Sequence, residues 1–213
     1  MAAADPKSAI VEAGRRLHAR GLITASEGNL SVREGDDLFV TPAGFSKGSL
    51  EPAHVVRTDL AGQPQESGPR ISSETPMHLA IYSRRPDVKA IVHAHPPVAS
   101  AFSVAHRNLD QPILAEAVVV LGQVVLVPYA TPSTWRLADL VARAAVDSDA
   151  LILANHGAVT LGDTLAKAME RMETLEHVAR VSLMARLLGG ERPLDPDDVR
   201  TLLALRAGGL YSM

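Results

Sequence analysis

The sequence lacks cysteine altogether. Without thiols the chain can form no disulfide, no thiolate metal site and no cysteine nucleophile, so its chemistry must rest on histidine and carboxylate side chains. It also lacks a basic excess, since the formal charge is −3, the isoelectric point is about 6.2 and the arginines are scattered. These properties argue against nucleic acid or an anionic membrane as a partner and favour a small molecule.

Long hydrophobic runs are absent as well. No apolar stretch approaches the roughly 20 residues that a membrane-spanning helix needs, and the first residues, Met1–Asp5, lack the basic and apolar parts of a secretory signal. We therefore expect a cytoplasmic protein that contacts no membrane. Apolar residues make up 46% of the 213 positions, which is enough for one domain spanning residues 1–213 to bury its own core.

Helical and strand patterns alternate along the chain without the regular rhythm of a doubly wound nucleotide-binding fold. This predicts an α/β sandwich with a mixed or mainly antiparallel sheet. Cap and turn residues give the expected boundaries. The predicted helices begin at Asp5-Pro6, at Ser72 or Ser73, at Pro97, at Thr131-Pro132, at Asp163 and at Asp195-Pro196, and the predicted strands cover residues 30–33, 38–41, 90–95, 124–127 and 151–154.

Three histidines close two of these apolar strands. His93 and His95 alternate at the end of one strand, and His156 follows the other. Because strand side chains alternate between faces, His93 and His95 point the same way and lie a few ångströms apart. Three neutral imidazoles with a water or a carboxylate suit Zn²⁺, and they would also accept Mn²⁺ or Co²⁺. The pattern predicts a metal site.

A carboxylate is expected near this site. Glu74 follows Ser72-Ser73 at a predicted helix start, where it could be a fourth metal ligand or remain free to transfer protons as the catalytic acid/base. His78 lies one helical turn after Glu74 on the same face, so it either orients that carboxylate or packs in the core.

Small and hydroxylated residues mark a second feature, an anion site. They occur in the segments 28–31, 41–44 and 72–73, at predicted turns and helix starts. Exposed amides at such places, with glycine allowing close approach, form a cradle for phosphate. Each segment alone is ordinary turn chemistry, and their combination with a metal site favours anion binding.

The same segments resemble the zinc-dependent class II aldolases of the fuculose-phosphate aldolase type, a family grouped with ribulose-phosphate 4-epimerase and the adducin head domain. The resemblance covers nearly the whole chain. It is carried by residues 27–33, 41–44, 72–74, 78, 93–95, 128–131 and 155–157. It implies a three-layer α/β/α domain around an antiparallel sheet, assembled as a homotetramer with active sites at subunit interfaces.

The resemblance also implies roles for particular residues. It makes His93, His95 and His156 the zinc ligands and Glu74 the acid/base. The residues that it assigns to substrate phosphate are Asn29, Gly44, Ser72 and Ser73. The implied activity is lyase chemistry in carbohydrate metabolism: cleavage of a ketose 1-phosphate, such as L-fuculose 1-phosphate, into dihydroxyacetone phosphate and an aldehyde, with the metal stabilising an enediolate.

Three departures from the family pattern leave further functions open. Glu116 stands where a family tyrosine would be, Tyr211 matches a second family tyrosine only loosely, and Glu27 carries a charge where a small residue is usual. One alternative is a decarboxylase of a sugar acid or an aromatic acid. Another is a pentulose-phosphate 4-epimerase, although epimerases of this group resemble the pattern with aspartate in place of Glu74. The third is a non-catalytic, adducin-like interaction module.

Overall fold

A computed structural model of the chain describes residues 5–208, and Tyr211 lies outside this range. In chain order the α-helices are α1 (Pro6–Ala19), α2 (Thr75–Arg84), α3 (Pro97–Val104), α4 (Ala115–Val120), α5 (Trp135–Ala144), α6 (Leu165–Leu187) and α7 (Pro196–Ala207). The strands are β1 (Asn29–Glu34), β2 (Asp37–Val40), β3 (Val56–Asp59), β4 (Ala90–Ala94), β5 (Val124–Val127), β6 (Ala150–Leu153) and β7 (Gly157–Gly162). Two single 3₁₀ turns cover Lys47–Ser49 and Pro52–His54.

All seven strands form one sheet in the order β3-β2-β1-β4-β7-β6-β5. Every neighbouring pair is antiparallel except β5 and β6, which are parallel. Helices cover both faces, so the predicted three-layer α/β/α sandwich with a mainly antiparallel sheet is confirmed. None of the helices between residues 5 and 208 combines the length and the apolar character needed to cross a membrane.

Alternation along the central strands produces two separate cores. On β4, Val92 packs with α1, α3, α4 and α6 on one face, whereas Ile91 packs with α2 and α5 on the other. The same alternation on β6 sends Ile152 to the first core and Leu151 to the second. Because both faces of these strands are buried, their sequences are continuous runs of apolar residues. His93 therefore belongs to the face covered by α2 and α5, together with Ile91.

Two helices, α2 and α5, begin later than predicted. Glu74, not Ser72 or Ser73, immediately precedes α2, and its side chain makes no capping hydrogen bond because it turns towards the histidines. The helix predicted from Thr131 begins only at Trp135, where the Thr134 side chain accepts the amide of Leu137.

The starts of the remaining predicted helices agree with the sequence more closely. Asp5 caps α1 through the amide of Ser8, and α3 and α7 begin at Pro97 and Pro196 as expected. At the start of α6, Thr164 rather than Asp163 is the cap: its hydroxyl accepts the amide of Lys167 at 3.2 Å. Asp163 instead accepts a hydrogen bond from the Lys167 ammonium at 2.8 Å. The sequence pattern did not predict β3, β7 or α4.

Gly28 allows β1 to enter the sheet close to β4. Its φ is +67°, and a Cβ atom built there would lie 2.6 Å from the carbonyl oxygen of His93. Gly35, in the β1–β2 turn, has a similar φ of +60°, but a Cβ atom there would meet no other atom within 4 Å. The two glycines thus share one backbone conformation and differ only in the space around them.

We expect Gly35→Ala to lower the free energy of unfolding by about 1–2 kcal/mol, the cost of the left-handed conformation. Gly28→Ala should lower it by about 1–3 kcal/mol more, because its methyl group must push against buried backbone. Denaturant unfolding of both variants measures this difference. Equal losses would show that the contact at Gly28 is not restrictive.

Candidate metal centre

His93 and His95 face one another at the end of β4. His93 is the penultimate residue of the strand and is fully buried, and His95 follows the strand directly. The two Nε2 atoms are 3.2 Å apart. Gly157 on β7 makes room for the second ring, since a Cβ there would lie 2.6 Å from its Cδ2 atom. The predicted placement of both rings on one side of the strand is therefore observed.

A hydrogen bond fixes the orientation of the His93 ring. Its Nδ1 lies 2.9 Å from the carbonyl oxygen of Ala158 on β7. Because a carbonyl can only accept, Nδ1 carries a proton, and Nε2 is the ring atom that could bind a metal ion. This is the arrangement by which metal-binding histidines are usually held.

His156 reaches the same point from the turn between β6 and β7. The preceding residue, Asn155, has a φ of +55°, and this left-handed turn directs the next side chain back over the sheet. The His156 ring centroid lies 4.8 Å from that of His93 and 5.0 Å from that of His95. One ligand atom from each of the three rings lies within 4.8 Å of the others.

Glu74 completes this cluster from the start of α2. One carboxylate oxygen is 3.1 Å from Nε2 of His93, and the other is 3.5 Å from Nε2 of His156. The amide group of Asn29, the direct cross-strand partner of His93, donates a hydrogen bond of 2.9 Å to the carboxylate. Burial alone would raise the pKa of Glu74, but the neighbouring histidines and the Asn29 amide outweigh it and lower that pKa.

These residues suit a bound divalent cation. Two nitrogens bonded to one ion at about 2.1 Å lie roughly 3.0–3.4 Å apart, which matches the His93–His95 separation. Burial lowers the pKa values of His95 and His156 to about 4, with a further decrease from His93, so both rings are neutral ligands at neutral pH. The Oε1 atom of Glu74 is buried without a hydrogen-bond partner, as expected of a group that faces a cation.

A polar cavity of about 250 Å³ opens beside the cluster. Its walls come from five loops, from the first residue of β1 and from the segment just before α2. The residues that line it are Ser26, Glu27, Gly28, Asn29, Pro42, Ala43, Gly44, Lys47, Ser72, Ser73, Glu74, His95, Pro132, Ser133 and His156. All four residues that the resemblance assigns to phosphate are among them, so the structure brings those residues and the histidines together.

The sequence interpretation missed two polar residues of the cavity wall. Ser133 donates a hydrogen bond of 2.9 Å to the hydroxyl of Ser73. Lys47 is buried and donates to two backbone carbonyls. An available signal for Lys47 was its position three residues after Gly44, in a sequence with few lysines.

Three further residues have defined positions relative to the cavity. Nδ1 of His78 lies 2.6 Å from the hydroxyl of Ser31, and burial lowers the pKa of His78 to about 3, so it is a neutral packed residue rather than a partner of Glu74. Glu27 lies 3.8 Å from Nδ1 of His95, and a hydrogen bond from Thr24 lowers the pKa of its carboxyl. Glu116 is exposed on α4 and does not line the cavity of its own chain.

Fold and site together define a class of α/β/α proteins with a three-histidine group that could hold a metal ion beside a polar cavity. The profile of the class II aldolase and adducin N-terminal domain matches residues 8–183. The chain therefore belongs to the class II aldolase and adducin family, whose enzymes include lyases.

Known relatives carry two different activities. The chain is 37% identical over 180 residues to the 3-oxo-tetronate 4-phosphate decarboxylase of Escherichia coli K12, covering 82% of each chain. It is 32% identical over 182 residues to the L-fuculose phosphate aldolase of Methanocaldococcus jannaschii, covering 85% of this chain and 98% of the relative. A solved L-fuculose 1-phosphate aldolase superposes with a TM-score of 0.89 at 29% identity, over 96% of this chain and 97% of the other.

We expect purified protein from metal-supplemented growth to contain about one divalent ion per chain, held by the three imidazoles. His93→Ala and His95→Ala should each reduce this to under about one tenth, because two imidazoles bind too weakly to survive purification. His177→Ala, which removes an exposed histidine on α6, is the matched control and should keep full metal content. Elemental analysis by mass spectrometry makes the measurement. Full metal content in both site variants would exclude this centre.

Proposed function

We propose that this protein is a metal-dependent lyase that cleaves a ketose 1-phosphate, such as L-fuculose 1-phosphate, into dihydroxyacetone phosphate and an aldehyde. The observation that carries the proposal is the convergence of His93, His95 and His156 with the Glu74 carboxylate at a cavity lined by phosphate-binding types of residue. The L-fuculose phosphate aldolase relative supports the same reaction.

The three histidines would hold Zn²⁺, with Mn²⁺ or Co²⁺ as substitutes, since imidazole suits all three. Glu74 is within reach to act as a fourth ligand before substrate binds. The chemistry that such a cation supplies is Lewis-acid stabilisation of the negative charge on an enediolate. The chain's own contribution is to present the neutral rings of His95 and His156 and to orient the His93 ring through its hydrogen bond to Ala158.

Glu74 would transfer the proton at the reacting carbon. A carboxylate can hold a cation and also accept or give a proton, and the Asn29 amide keeps this one pointed into the cluster. Asn29, Gly44, Ser72 and Ser73 would bind the phosphate through amide and hydroxyl donors, with Gly44 (φ +78°) leaving its surroundings open to the ligand.

Decarboxylation of a phosphorylated 3-oxo acid is the second candidate. In that reaction the bond to the carboxylate carbon breaks, CO₂ leaves and the electron pair remains as the same kind of enediolate, which Glu74 would protonate after taking up a proton from solvent. The relative from Escherichia coli favours it. So does the replacement of a family tyrosine by Glu116, because loss of CO₂ needs no group to take a proton from the hydroxyl that becomes the aldehyde.

An epimerase or a non-catalytic module has less support. The epimerase pattern has aspartate where this chain has Glu74, and a non-catalytic module would have no use for an oriented carboxylate beside three clustered imidazoles. Assembly into a homotetramer stays a prediction from the resemblance. The exposed rings of Tyr129 and Trp135, 52% and 73% accessible on either side of the cavity residue Ser133, support a subunit contact there, and light scattering of the purified protein would test it.

Product analysis separates the two reactions. With metal present, we expect L-fuculose 1-phosphate to release triose phosphate, detected by a coupled reductase, and chelator to abolish the release. A 3-oxo acid 4-phosphate tested in parallel should release CO₂ only if the second candidate is correct. If neither product forms with either substrate, the lyase proposal fails.

Replacing the proposed acid/base gives a second test. We expect Glu74→Gln to retain bound metal, since three imidazoles remain, and to lose turnover by about two to four orders of magnitude. Glu170→Gln, at an exposed position on α6, is the matched control and should turn over normally. Unchanged turnover in Glu74→Gln would remove Glu74 from the mechanism.

A further inference from the structure

Lys47 is the one cationic lysine or arginine among the described residues that line the cavity. Only 2% of its surface is exposed. Its ammonium group donates hydrogen bonds to the carbonyl oxygens of Ser26, at 2.6 Å, and Phe45, at 3.1 Å. An ammonium has three N–H donors, so these two bonds leave one for another acceptor.

The fold holds this lysine firmly in place. Its backbone forms a 3₁₀ turn against α1, where Gly14 permits the approach: a Cβ at Gly14 would lie 3.0 Å from the Lys47 carbonyl oxygen and 3.2 Å from its Cβ. Burial opposes the charge and lowers the pKa of Lys47 to about 8, although Glu74 and Glu27 favour the charged form. A buried positive charge is unfavourable unless it pairs with a negative charge and has hydrogen-bond acceptors.

The charges around the cavity indicate what that partner is. Glu27 and Glu74 are both acidic, and the residues proposed to bind phosphate are neutral donors. A phosphate dianion entering this space adds negative charge, which the hydroxyl and amide groups cannot neutralise. Phe45, one acceptor of Lys47, directly follows Gly44, so the ammonium group lies next to the phosphate side of the cavity.

We propose that the Lys47 ammonium group binds the phosphate of the substrate and supplies the positive charge that the neutral donors lack. The inference rests on the proposed function, in which the substrate carries a phosphate. A charge-assisted hydrogen bond from the free N–H is the direct contact. The hydrogen bonds to the two carbonyl oxygens hold the ammonium group in one position at the cavity wall.

Calorimetric titration with inorganic phosphate tests this assignment near pH 7, where an ammonium with a pKa of about 8 is mostly charged. Lys47→Met removes the charge at similar length, and we expect phosphate to bind about 10- to 100-fold more weakly. Lys47→Arg keeps a cation, although in a larger group, and should retain more phosphate affinity than Lys47→Met. Lys89→Met, at an exposed position, removes the same charge from the surface and should change nothing.

The titration uses metal-loaded protein and is repeated after chelation, so that phosphate held by the metal alone is recognised. Wild-type phosphate affinity retained in Lys47→Met overturns the proposal, as does a wild-type protein that binds no phosphate. If Lys47→Met loses affinity for malonate instead of phosphate, the lysine binds a carboxylate and the assignment is wrong.

A purely structural role is distinguished by thermal unfolding. A lysine that only bridges two loops predicts a lower melting temperature in Lys47→Met with unchanged phosphate affinity, and that result rejects the proposal. The test is also independent of turnover. If neither lyase product is found but phosphate binding depends on Lys47, the proposed reaction fails and the lysine assignment holds.

Discussion

The antiparallel pairing of β4 with β1 and β7 is the constraint on which the site depends. It places Asn29 directly opposite His93 and brings the Ala158 carbonyl to the ring of the same histidine. A shift of one residue in this pairing would turn every β4 side chain to the other face of the sheet. The apolar neighbours Ile91 and Val92, which belong to different cores, resist such a shift. The same packing that stabilises the sheet thus orients the imidazoles.

The site concentrates polar groups in a part of the molecule where they are costly to bury. The rings of His95 and His156 remain neutral because burial lowers their pKa values to about 4. Glu74 stays ionised because its neighbours outweigh its burial. Imidazole nitrogens and an ionised carboxylate form a donor set suited to a cation, and Oε1 of Glu74 is buried there without a hydrogen-bond partner. Functional sites commonly lower the stability of the fold in this way because their groups are arranged for activity.

Much of the fold and the site could be predicted from local patterns. Period-two alternation placed His93 and His95 on one face, and cap residues located α1, α3 and α7. The start of α2 was predicted wrongly because Glu74 occupies the cap position while its side chain serves the histidine cluster, which sequence preference does not show. Lys47 was missed because its importance comes from contacts with residues on separate loops, formed only when the chain folds.

The three histidines that could hold a metal ion are brought together from two distant parts of the chain. His93 and His156 lie on segments that are far apart in sequence and become neighbours only when β4 pairs with β7. The unfolded polypeptide therefore cannot hold an ion with all three rings at once, so an ion bound by all three would favour the native state. Molecules without the ion would then unfold more often, and proteases would degrade them faster.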